Sequence, residues 1–196
     1  MGDEVDLVNR LRRGDESAFA MLVERYHPQL VRLASSFVPN RAVAEEVAQD
    51  TWLAVVKGIE GFEGRSSFKT WLFRILVNRA RTTGVKERRE TPAIAGAAPV
   101  VSSDRFRADG SWASPPARWE DDVVDRLVAG EVAGHVAGYV DELPANQRQV
   151  VLLRDVEDLP SDEVCRVLGI SDVNQRVLLH RGRSRIRARL EEKLGA

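Results

Sequence analysis

The chain has 196 residues, 43% of them hydrophobic and 30% charged, with a formal net charge of −1. That balance excludes general disorder, and the length suits one large domain or two small ones. No apolar run nears the roughly 20 residues of a membrane span, charged residues from Asp3 to Glu16 stand where a secretory leader would be apolar, and the lone cysteine, Cys165, forbids an internal disulfide. The expectation is a folded, all-α protein of a reducing cytoplasm that is not inserted in a membrane.

From residue 17 to 38, Phe19, Leu22, Val23, Tyr26, Leu30, Leu33, Ala34 and Phe37 fall on one face of a helix, with Pro28 predicting a kink or break near His27. Between Arg41 and Lys57 the apolar face is Ala44, Val47, Ala48, Thr51 and Val55, widened by Trp52 and Val56, and Gly58 suits the C-terminal cap. The acids Glu45, Glu46 and Asp50 gather with Gln49 on the other side. A loop from Glu60 to Ser67 follows, and Ser66 or Ser67 can cap a third helix that buries Phe68, Trp71, Leu72, Ile75 and Leu76 and runs into Arg88.

Residues 91–118 then lose all periodicity to alanine, proline, glycine and serine. They read as a linker, although Phe106, Trp112 and Trp119 argue that part of it docks on something. Helical spacing resumes with Val124, Leu127, Val128, Val132, Val136 and Val140 and ends at Leu143-Pro144. A helix from about Ala145 to Arg154, a short one from Ser161 to Leu168, the break Gly169-Ile170-Ser171 and a long helix from Asp172 to Lys193 complete the chain. The organisation is two small helical domains, residues 1–90 and 123–196, joined by a linker over 91–122.

The near-zero net charge hides segregation. Cations crowd between Arg65 and Arg89 and again between Asn174 and Arg189, while acids gather around Glu45 and from Asp141 to Glu163. Two basic surfaces offset by acidic ones suit a protein that meets a polyanion in two places. From Ser161 to Arg189 the pattern is a helix-turn-helix: serines at 161 and 171 cap two helices, and Gly169 permits the left-handed turn. On its second helix Arg176, His180, Arg183 and Arg187 form one stripe opposite Leu178, Leu179, Ile186 and Leu190. Such a helix fits the major groove, where arginine pairs with guanine and neighbouring cations meet phosphates; the alternative is a solvated face or a surface for an acidic protein, which the absence of balancing acids within the stripe disfavours.

Opposite the buried face of the third helix lie Thr70, Phe73, Arg74, Val77 and Arg81, an aromatic and an aliphatic side chain flanked by cations. The mixture suits melted DNA, with a base stacked on the ring, or else Phe73 and Val77 pack on another helix of the same domain. The acidic face at 45–50 is either solvated helix or a site, and His27, His135 and His180 are too scattered in sequence to complete a metal centre with it. No cofactor-binding motif is present, and Cys165, beside Val164 and Leu168, reads as packing.

Two sets of residues resemble one family. Ala18-Phe19 with Tyr26, the run Ala44 to Asp50, Phe62 to Ile75, and Asn78-Arg79-Ala80-Arg81 resemble the second conserved region of the extracytoplasmic-function sigma factors of bacterial RNA polymerase. Leu143-Pro144, Gln147-Arg148, Val151 to Asp155, Leu168 to Ser171 and His180-Arg181-Gly182-Arg183 look like their fourth. The resemblance implies that Glu45, Glu46, Gln49 and Asp50 dock on core polymerase. It implies that the 60–67 loop, with Arg65 and Ser66, captures a flipped base of the minus-ten element, and that Phe73, Arg74, Asn78 and Arg81 read the melted strand. Arg176, Val177, His180, Arg181, Arg183 and Arg187 would then meet the minus-thirty-five element. An anti-sigma factor is a further partner that the resemblance implies, together with promoter DNA and no cofactor, metal or catalysis.

At the start of the recognition helix the chain departs from the family. Val173, Asn174, Gln175, Arg176, Val177 and Leu178 stand where it commonly has a small residue, Thr, Val, Arg or Lys, Ser and Arg, with Gln175 inward by periodicity and Val177 in place of a serine. The preferred upstream sequence is left open. Two rivals make different demands: a stand-alone helix-turn-helix regulator binds duplex without polymerase, and an enzyme built on the carboxylates at 45, 46 and 50 requires a divalent metal.

Overall fold

The computed structural model describes residues 2–90 and 131–194, and within them eight α-helices and no strand. The first half holds α1 (Gly2–Arg12), α2 (Glu16–Ala34), α3 (Arg41–Gly58) and α4 (Phe68–Glu90). Leu7, Val8 and Leu11 give α1 a buried face, which the sequence reading did not assign. Asp15 caps α2 by accepting from the backbone of Ser17 (2.9 Å) and Ala18 (3.1 Å), and Arg10 Nε braces it at 2.8 Å. Those bonds, Ser17 first, hold the Asp15 carboxyl far below the usual carboxylate range.

α2 runs unbroken through Pro28. The expected break fails because Leu22 and Tyr26 before the proline, and Leu30 and Leu33 after it, are buried on one side, so packing outweighs one lost backbone bond. Asn40 Oδ1 caps α3 by accepting from Val43 N at 2.9 Å, and Gly58 stays right-handed (φ −108°), leading into a 3-10 turn at Ile59–Gly61 rather than a left-handed cap. Of the residues expected to widen the inner face of α3, Trp52 is buried, meeting Phe19 edge to face at 5.7 Å, but Val56 is exposed. Ser67 Oγ caps α4, accepting from Thr70 N at 3.1 Å.

The second half holds α5 (Glu131–Asp141), α6 (Ala145–Val151), α7 (Ser161–Leu168) and α8 (Asp172–Leu194). α6 widens into a π turn over Leu152–Val156, so the helix expected to Arg154 is α-helical only to Val151. α8 crosses α6 at Gly182, where a Cβ would stand 2.6 Å from Val151 Cγ2; only glycine allows that approach. Gly169 adopts the left-handed turn (φ +60°), and Ser171 Oγ accepts from Asn174 N at 3.2 Å as expected. Ser161 does not cap α7. Pro160 holds the cap position, and Ser161, already inside the helix, donates its hydroxyl to Gln175 Oε1 at 2.8 Å, which secures that inward glutamine.

The two halves touch. α4 packs on α7, Gln149 Nε2 donates to the Ser36 carbonyl oxygen at 3.2 Å, and buried apolar side chains of both halves form one continuous cluster. Residues 91–130, with Phe106, Trp112 and Trp119, lie outside the described residues.

Candidate nucleic-acid interface

The 62–67 loop and the start of α4 enclose an open cleft of about 360 Å³. Phe62 and Trp71 form its aromatic wall, their ring centroids 5.0 Å apart, and Arg65, Ser66 and Arg74 stand on its rim. Arg166, from α7, closes one side. The aromatic floor offers a flat apolar contact for one base, and the arginines supply charge for its phosphates.

The sequence reading missed Arg12. Its guanidinium lies 5.8 Å over the Phe62 ring and donates to the carbonyl oxygens of Ile59 (3.4 Å) and Phe62, so α1 fixes the base of the loop. An arginine ending an amphipathic segment carries no local sign that it reaches a loop fifty residues away.

Of the expected strand-reading residues, Arg65, Arg74, Asn78 and Arg81 are exposed and Ser66 is half-buried, and Arg65, Ser66 and Arg74 line the cleft. Phe73 is not exposed. It and Val77 are fully buried, and Thr70 nearly so. Phe73 and Val77 pack inside the protein, as the alternative reading expected, and the polar groups along this stripe bond to the second half. Lys69 Nζ sits 3.1 Å from the Glu157 carboxylate, the Thr70 hydroxyl donates to Glu163, and Arg81 donates to the Leu168 carbonyl oxygen. Arg81 also lies 6.0 Å over the Phe37 ring.

α8 presents the second basic surface. Arg176 and Arg187 are exposed, but the helix carries its own counter-charges: Arg176 pairs with Asp172 at 2.5 Å and Arg187 with Glu191 at 2.6 Å. The expectation of a stripe without acids at helical spacing is therefore corrected. Exposed pairs of this kind contribute about 0–1 kcal/mol, so a phosphate can replace the carboxylate at little cost. Arg183 is held by both Asp155 oxygens (2.6 and 3.0 Å), and that pairing pushes its pKa further up. Val177, His180 and Arg181 are half-buried. Burial, with Arg183 second, pushes His180 down, so at neutral pH it is an uncharged member of the stripe.

On α3, Glu46, Gln49 and Asp50 are exposed, and Asp50 pairs with Arg79 at 3.7 Å. Glu45 is half-buried, 3.0 Å from His27 Nε2 and 3.5 Å from Arg41, a histidine contact that sequence spacing concealed. Leu53 and Val56 lie exposed on the same helix at 60% and 52%. Acids interleaved with apolar side chains are a mixture that protein interfaces use. Among the described residues no group of three or more His, Cys, Asp and Glu could hold a metal ion. Cys165 is half-buried rather than buried, and burial followed by Asp172 and Asp162 raises its pKa, which disfavours the thiolate.

Two family descriptions match the chain: Sigma-70 region 2 over residues 22–90, and Sigma-70, region 4 over residues 136–186. The chain is 26% identical over 180 residues to the ECF RNA polymerase sigma-E factor of Salmonella typhimurium, covering 92% of this chain and 90% of that protein. It is 28% identical over 192 residues to the RNA polymerase sigma-H factor of Pseudomonas aeruginosa, covering 96% and 94%. Its fold resembles that of the sigma factor RpoE solved in complex with the anti-sigma factor NepR from Bartonella quintana, with a TM-score of 0.60 and 22% identity over 88% of this chain and 96% of that one.

Proposed function

The chain belongs to the sigma-70 family, as an extracytoplasmic-function sigma factor of bacterial RNA polymerase, and from that premise we propose how its residues divide the work of initiation. Residues 1–90 carry the core-polymerase and minus-ten functions, residues 123–196 the minus-thirty-five function, and residues 91–122 join them. Its family is regulatory, and this chain itself catalyses nothing and needs no cofactor. It works in the cytoplasm with polymerase and is restrained there by an anti-sigma factor; no helix among the described residues is long and apolar enough to cross a membrane.

The cleft beneath the 62–67 loop carries this reading. A stand-alone duplex-binding regulator has no use for a recess lined by Phe62 and Trp71 and rimmed by Arg65, Ser66 and Arg74, because bases inside a duplex do not leave the stack. A base flipped from the minus-ten element pays its unstacking by lying on that aromatic wall. Arg74 and Asn78, exposed along α4, and then Phe73 and Arg81, follow the separated strand. α8 enters the major groove of the upstream element with Arg176, Val177 and Arg187 outermost, while Arg181 and Arg183 approach phosphates and His180 contributes shape and a hydrogen bond. Glu45, Glu46, Gln49 and Asp50, with Leu53 and Val56 between them, face core polymerase.

Transcription reconstituted from purified core polymerase and a cognate promoter tests this. Arg74→Ala and Asn78→Ala are expected to leave closed-complex formation intact while lowering permanganate reactivity of unpaired thymines. Normal opening by both variants sinks the assignment of α4.

A further inference from the structure

We infer that Arg12 is a positioning residue for base capture: without lining the cleft, it holds the 62–67 loop in the shape that receives the flipped base. This rests on the reading of that cleft as the base-capture site. Beyond Phe62 the loop has little packing of its own, since Glu63, Gly64, Arg65 and Ser67 are exposed and Ser66 is half-buried. On one side it borders the cleft. On the other, Phe62, Glu63, Gly64 and Ser66 border a second hollow of about 390 Å³ that faces Val5, Val8 and Asn9 of α1. At the tip Gly64 is left-handed (φ +70°), and nothing beyond its chain neighbours lies within 4 Å of where a Cβ would stand. Glu63 and Arg65 pair with each other at 2.8 Å, a bond that ties the tip to no other element. The shape of the loop is therefore set at its two ends, and at the far end Ser67 is fixed by capping α4.

At the near end the fastening is Arg12. Its Nε and Nη2 donate to the carbonyl oxygens of Ile59 and Phe62, which bracket the 3-10 turn leading into the loop. Carbonyls at the close of a helical run carry partial negative charge, which suits a cation. The same guanidinium lies over the Phe62 ring, whose other neighbours are Trp71 at 5.0 Å and Phe68 at 6.1 Å. One side chain thus fixes both the backbone where the loop begins and the ring that walls the cleft. A group that positions another must itself be held. Leu7, Val8 and Leu11 bury α1 in the core, and Arg10, two residues before Arg12, is bonded to Asp15 and Ser17 at the start of α2, each at 2.8 Å. The geometry asks for arginine in particular: lysine carries its charge at a point and cannot reproduce two bonds from one planar edge together with a face laid on a ring.

The test uses the full chain on core polymerase, with a fork-junction DNA that carries the single-stranded minus-ten element of a cognate promoter. An abasic site is placed at each minus-ten position in turn, and the position whose loss costs the parent most affinity marks the captured base. Arg12→Met keeps the length of the side chain and removes its donors. It should weaken binding of the intact fork about tenfold, the effect of a loop left in the receiving shape about a tenth of the time. On the fork abasic at the marked position it should bind like the parent, because a loop with no base to receive gains nothing from being held. Arg12→Lys should restore part of the loss, and Arg13→Met, at the next exposed position, should bind both forks like the parent. A folding defect weakens both forks alike, and a lost phosphate contact weakens both with a lower salt slope. Either result overturns the positioning role, as does an intact fork that Arg12→Met binds at parental affinity. A parent that loses nothing at any abasic position overturns the reading of the cleft and this inference with it.

Discussion

The two basic surfaces of this molecule are kept ready in opposite ways. On α8, Arg176 and Arg187 face solvent and are neutralised by acids one helical turn away, so duplex DNA need only displace an exposed carboxylate. On α4 the stripe from Lys69 to Arg81 is neutralised by residues about 90 positions further along the chain, and its aromatic centre is buried beneath them. The surface on α8 is open and locally balanced, whereas that on α4 is covered by another part of the molecule.

Phe73→Ala should have the largest effect. Truncating a fully buried phenylalanine costs about 3–5 kcal/mol, and because Phe73 lies in the stripe that packs on α7, the expected signature is loss of coupling between the halves. Denaturant unfolding followed separately by a dye in each half should show the two transitions further apart than in the parent. Transitions spaced as in the parent would show that Phe73 is not where the halves join.

That residue also marks the boundary of what the sequence disclosed. Periodicity placed every helix from α2 to α8, the inward Gln175, the turn at Gly169 and the acidic face of α3, because each depends on neighbours within a turn or two. It posed the right question about Phe73 and Val77 but could not answer it, since the second half lies beyond residues 91–118, whose alanine, proline, glycine and serine carry no periodicity. Arg12 over Phe62 and His27 beside Glu45 are hidden because each contact joins residues of different elements, far apart in sequence. At Pro28 a sound local rule lost to the burial of Leu22, Tyr26, Leu30 and Leu33.

Gly182→Val should damage the other half alone. Its side chain has to enter space held by Val151, and such overpacking costs about 1–3 kcal/mol. Duplex binding should fall with the fraction of folded second half, while the first half keeps its melting transition. Equal loss in both halves would mean that they unfold as one body and that the contrast between the surfaces is not one between separable units.

On the open surface, Arg176→Ala and Arg187→Ala should each lower the slope of log affinity against log salt by about 1 if the arginine meets a phosphate, or cost about 1–3 kcal/mol with relaxed base preference if it reads a guanine. Asp172→Asn and Glu191→Gln remove the internal competitor and should tighten duplex binding slightly at low salt. Arginine variants that leave both slope and preference unchanged would return the α8 stripe to ordinary solvated surface.

The smallest expected effect concerns His180, the one member of that stripe that should carry no charge. Burial, and next Arg183, lower its pKa below the ordinary value of 6.5. At neutral pH His180→Gln should therefore leave the salt slope of duplex binding unchanged, unlike the arginine variants. The stability linkage follows from the same direction: the unfolded chain takes up a proton near pH 6.5 that the folded imidazole resists, so the folded state is favoured above that pH and loses ground as acid is added. Unfolding of the parent between pH 7.5 and 5 should show the second half weakening, and His180→Gln should flatten that part of the decline. A decline of equal steepness in the variant would assign it to groups other than His180.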